Sequence, residues 1–94
     1  MEQIRGLRFE DFKDEKLQQG YSEVLQKSWE PNAENQLHQH DFTAEAIVIE
    51  GEMWLTVDGK TQHLSQGDNF HVPQHVQHKE KYGPEGCVFW VARI

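Results

Sequence analysis

Polar and apolar residues alternate in short runs along most of this chain. Tyr21, Glu23, Leu25, Lys27 and Trp29 alternate with Ser22, Val24, Gln26 and Ser28. That period of two predicts a strand, and its mixed faces suit a sheet edge. Pro31-Asn32 ends it. Gln36–His40 and Ala44–Ile49 read as two more strands, the second stopped by Gly51. Met53–Val57 runs into Asp58-Gly59, a strong hairpin signal, and Thr61–Leu64 returns from it. Gln66-Gly67-Asp68 makes the next turn. Asn69–Val72 is a strand ended by Pro73, and His78–Tyr82 is another. Gly83-Pro84-Glu85-Gly86 reads as a loop, and Cys87–Ile94 as a closing strand. Residues 1–20 differ. They are mostly polar and charged, with Phe9, Phe12 and Leu17 as the main apolar points, and predict an arm with a short helix over 12–19, capped by Asp11 and stopped at Gly20. Many short strands with regular turns point to an all-β fold, a small antiparallel barrel or sandwich with an N-terminal arm.

Composition narrows this picture. Ninety-four residues make one domain, 1–94, with its core carried by 31–94. No apolar run reaches the ~20 residues of a membrane span, and residues 1–10 have no stretch of signal-peptide length. A cytoplasmic protein is the expectation. A net charge of −7 argues against nucleic acid or a membrane as partner, since both attract cationic surfaces. The single Cys87 cannot pair within the chain, which suits a reducing compartment, and it reads as a small buried hydrophobe. Phe42, Trp54, Phe70, Phe89 and Trp90 are a large apolar load for so short a chain. Most should be core, and any excess on an outer face would be hidden in a homodimer.

All six histidines fall between His38 and His78. His38 and His40, two apart on a predicted strand, leave the same face and can grip one metal ion, although such pairs also occur facing solvent. A turn at Gly67, a strand, Pro73 and then His78 follow. With these residues in view, the chain resembles the small single-domain members of the cupin superfamily. That family's first motif is His-x-His, an acidic residue and a glycine, here His38-Gln39-His40, the stretch Asp41 to Glu50, and Gly51. Its second is a glycine, a proline six positions on and a histidine five beyond that, here Gly67, Pro73 and His78. The resemblance implies a jelly-roll-like double-stranded β-helix holding one divalent transition metal (Fe, Mn, Ni, Cu or Zn) through His38, His40 and His78.

Two positions depart from that pattern. Ala44 stands where the family places a glutamate ligand. Glu45 is next door and reaches the site only if a bulge turns it inward. His75 replaces a turn glycine. Three histidines without the glutamate resemble the branch of the family that includes non-haem iron dioxygenases, which implies an oxygenase acting on a small organic molecule. The alternative is a non-catalytic cupin that binds or senses a small ligand. Glu80 and Tyr82 share the strand face of His78, which makes Glu80 a further ligand, a partner of an imidazole or a general base, and makes Glu80 or Tyr82 the candidate catalytic group for moving protons in the oxygenase reading. The bland reading of Glu80 is a carboxylate at the barrel mouth paired with Lys79 or Lys81. His63, His71 and His75 read as surface or hydrogen-bonded histidines.

Overall fold

The computed structural model describes residues 7–94. The first six residues of the expected arm lie outside the described residues. Helix α1 (Phe9–Gln18) precedes five strands: β1 (Glu23–Trp29), β2 (Ala44–Val57), β3 (Lys60–Ser65), β4 (Asn69–Val72) and β5 (His78–Arg93). All pairings are antiparallel, in the order β1-β5-β2-β3, with β4 on the first part of β2.

Three expectations are corrected. The runs on either side of Gly51 are one strand, and so are those on either side of Gly83–Gly86. β2 and β5 pair from end to end except at register breaks between Val48 and Glu50 and between Gly51 and Met53, the second of which leaves Gly83–Gly86 unpaired with β2. The strands continue through the glycines because bulges absorb the extra residues and bend the sheet. Gly51 must be glycine. Its φ is +77°, and a Cβ there would lie 2.1 Å from the Gly86 carbonyl oxygen. Gln36–His40 is not a strand. It follows β5 only through isolated bridges of Glu34 to Lys81 and His38 to His78. The helix begins three residues before the expected start. Asp11 therefore lies in its first turn, where a negative charge suits the helix dipole, and makes no cap. Gly20, at φ +100°, follows its end as expected.

The bends bring both halves of β2 and β5 onto one core. Ala44, Ala46 and Val48 from the first half of β2 pack with Met53 and Leu55 from the second, and with Phe70, Tyr82, Cys87, Phe89 and Val91. Leu25 and Trp29 of β1 pack against this cluster. A second, smaller core lies on the other face, where α1 covers the sheet. There Phe12 joins Val24, Ile49, Trp90 and Ala92. Phe9 and Phe12 lie 5.4 and 5.8 Å, centroid to centroid, from Trp90. The arm thus buries outer-face apolar area that would otherwise need another cover.

Candidate metal centre

The inner face of the first part of β5 carries His78, Glu80 and Tyr82, as alternation requires. His38 is clamped to this strand by two backbone hydrogen bonds: its N–H donates to the His78 carbonyl at 2.9 Å, and the His78 N–H donates back at 2.8 Å. His40 is held from the other side, where the His75 N–H donates to its carbonyl at 2.7 Å. The three rings converge. Their centroids are 4.2 Å apart for His38 and His78, 4.8 Å for His38 and His40, and 5.1 Å for His40 and His78. One ligand atom from each lies within 4.8 Å of the other two, so the three could hold a metal ion.

The hydrogen bonds around the rings fix what they offer. His38 Nδ1 lies 2.7 Å from the Gln36 carbonyl, and His78 Nδ1 lies 3.0 Å from the Val76 carbonyl. A carbonyl only accepts, so each Nδ1 carries a hydrogen, and in the neutral ring each Nε2 presents a lone pair. Glu80 faces those lone pairs, with Oε2 3.5 Å from His78 Nε2 and 3.8 Å from His38 Nε2. In their neutral form the imidazole nitrogens and the carboxylate oxygen point at one another with no hydrogen between them. A cation would relieve that arrangement, so this donor set fits a divalent transition metal. Burial, together with the neighbouring His38 and His78, lowers the His40 pKa, which keeps His40 in its neutral, ligating form.

Glu80 is itself fixed in place. Its N–H donates to Asn35 Oδ1 at 2.8 Å, and its carbonyl accepts the Asn35 N–H at 3.0 Å. The Tyr82 hydroxyl donates a short hydrogen bond to Oε1, which leaves Oε2 for the site. Tyr82 is fully buried and stacks on Trp29 at 4.8 Å. Burial and the Glu80 charge raise its pKa, so the phenol keeps its proton. Neither Lys79 nor Lys81 forms an ion pair with Glu80 among the described residues. The same causes push the Cys87 thiol up to about 12, as befits the buried small hydrophobe expected there.

Glu45 does not join this group. Its carboxylate accepts the Tyr21 hydroxyl hydrogen bond and lies 4.0 Å from both Lys16 Nζ and His71 Nδ1. It stands opposite His71 and Ala92 in the ladder, and Ala92 belongs to the helix-side core. The bulge that could have turned Glu45 inward falls beyond Val48, too late in the strand to do so. His63 is exposed, bonded to Glu52 at 2.8 Å and stacked on Trp54. His71 and His75 are exposed as well.

A cavity of about 230 Å³ opens beside the rings. Phe42, Phe70, Phe89 and Trp29 give it apolar walls, and Lys27, Asn35 and Arg93 add polar ones. Asn35, Lys27 and Arg93 were not singled out from sequence. For Lys27 a signal existed, because it stands two residues from Leu25 and from Trp29 and therefore shares their inward face. A larger groove of about 540 Å³, lined by Trp54, Lys79 and Lys81, touches Glu80 but none of the histidines.

Comparison with known proteins agrees with this architecture. The structure resembles KdgF from Halomonas sp., with a TM-score of 0.65 and 24% identity over 74% of this chain and 66% of that one. It also resembles a variant of salicylate 1,2-dioxygenase from Pseudoaminobacter salicylatoxidans, with a TM-score of 0.69 and 22% identity over 74% and 21% of the two chains. Oxalate decarboxylase from Bacillus subtilis, a protein with Mn(II) centres, gives a TM-score of 0.66 and 24% identity over 74% and 20%. The chain spans about two thirds of the first of these and about a fifth of the other two. Comparison with curated proteins gave no match. Residues 27–88 match the family model described as Cupin domain, a stretch that takes in His38, His40 and His78, and the chain therefore belongs to the cupin family.

Proposed function

We propose that His38, His40 and His78 hold one divalent transition metal and that the protein is a metal-dependent enzyme, an oxygenase, acting on a small organic molecule in the adjoining cavity. The observation that carries this reading is the convergence of one ligand atom each from His38, His40 and His78 within 4.8 Å of one another, with Glu80 Oε2 3.5 Å and 3.8 Å from two of the rings. When bound, the metal supplies Lewis acidity and open positions for dioxygen and substrate.

The chain's own residues supply the rest. The carbonyls of Gln36 and Val76 set the tautomers of two rings. Glu80 receives or returns a proton at Oε2, and Tyr82 is a positioning residue that holds Oε1. The aromatic walls exclude water and strengthen every electrostatic contact inside.

The test is to add Fe(II) under anaerobic conditions and then follow oxygen uptake with thiols, diketones and phenols. Metal-dependent consumption of one class is expected, together with loss of both metal and turnover in His40→Ala. Saturable binding without consumption of any compound would instead favour a ligand-binding or sensing role. Equal metal content in His40→Ala and the parent would end the ligand assignment.

A further inference from the structure

The wall of the cavity contributed by β1 and the end of β5 is unusual chemically. Leu25, Lys27 and Trp29 stand on one face of β1, opposite Val91, Phe89 and Cys87 of β5. Both apolar neighbours of Lys27 on that face pack into the main core, so the lysine is directed inward among aromatic groups. It makes no hydrogen bond or ion pair among the described residues. Arg93 lines the same cavity. Its guanidinium lies over the Phe42 ring at 4.6 Å, and one of its amino nitrogens donates to Glu23 at 3.1 Å. Its Nε–H, however, is buried without a partner among the described residues, and so is the Nε1–H of Trp29. Among the described residues, then, the Lys27 ammonium has no acceptor in the cavity it lines, and two N–H donors of neighbouring cavity residues are buried without one. Buried donors are ordinarily satisfied.

We infer that this cavity takes a small organic carboxylate, with its anionic end against Lys27 and Arg93. The inference rests on the metal reading only in treating the histidine end as the reactive end. Charge supports it. Glu80 is the acidic group lining this cavity and faces the histidines, and Glu23 answers one nitrogen of Arg93, so Lys27 keeps an uncompensated charge. The aromatic walls favour an anion with an apolar body over an inorganic one. Trp29 lies one inward position beyond Lys27 and lines the same cavity.

Benzoate and malonate, each beside its amide, are the probes. Binding is measured by titration calorimetry on the Mn(II)-loaded protein and again with the metal chelated. At least one acid is expected to bind ten-fold or more tightly than its amide. Lys27→Met should remove that preference with metal content unchanged, and Lys27→Arg should restore it. Equal affinity for acid and amide, no binding of either acid, or an acid preference that survives Lys27→Met would each overturn the inference. Inorganic phosphate binding as tightly as the organic acids would overturn it too. Acid preference in a protein that takes up no metal would support the carboxylate site while sinking the metal reading, so the two failures are distinguishable.

Discussion

His75 carries a cost on behalf of its neighbours. Its φ of +67° lies in the left-handed region, which a residue with a Cβ adopts at a penalty of roughly 1–2 kcal/mol. Its N–H holds the His40 carbonyl, so the strained turn helps aim a ring of the site. His75→Gly should raise stability by up to about 1 kcal/mol, less what glycine loses in unfolded-chain entropy, and leave metal content unchanged. Denaturant titration and elemental analysis check both parts. Tyr82 is the other informative residue. Tyr82→Phe keeps the stack on Trp29 but strips Glu80 Oε1 of its donor. A cost of about 1.5–3 kcal/mol is expected, with a shift in the pH profile of turnover that a purely packing role would not give. His38, His40 and His78 were readable as a group because the spacing of two separated motifs matched a family pattern. Asn35 was not, since nothing in a lone asparagine announces that it will grip the backbone of a residue 45 positions later.

At the scale of elements, β2 and β5 make the site. Each is a long strand bent by bulges, and the bends let one strand serve both halves of the core. The sequence shows these strands as broken pieces because a bulge resets the alternation by which strands are recognised. Gly51 and Gly83–Gly86 look like stops for the same reason. The alternation inside each piece was sound, which is why His78, Glu80 and Tyr82 do share a face. Glu45 lay open to two readings because only the position of the bulge decides its face, and no local residue pattern states that position. Gly51→Ala should be severe, at roughly 3–5 kcal/mol in thermal or chemical unfolding, since a left-handed φ and a 2.1 Å approach to a backbone oxygen act together. A cost below 1 kcal/mol would show that the two strands are not held at this crossing as described.

Taken whole, the molecule is a β sheet wrapped on its main core, with a helical flap sealing a second one. The first part of its alkaline response follows from the buried thiol. The folded state keeps the Cys87 proton up to about 12, whereas the unfolded chain releases it near the ordinary 9.0. The folded state then binds more protons, so stability should fall as pH rises through 9, by up to about 1.4 kcal/mol per pH unit. Between pH 9 and 10, below the ordinary tyrosine range, Cys87→Ala should flatten that slope.

The most direct measurement for the site is the anomalous scattering map of a crystal grown with Mn(II). One peak per chain is expected within bonding distance of the Nε2 atoms of His38 and His78 and a ring nitrogen of His40. A map with no peak there, or with manganese seated only on surface carboxylates such as Glu45, would contradict the assignment.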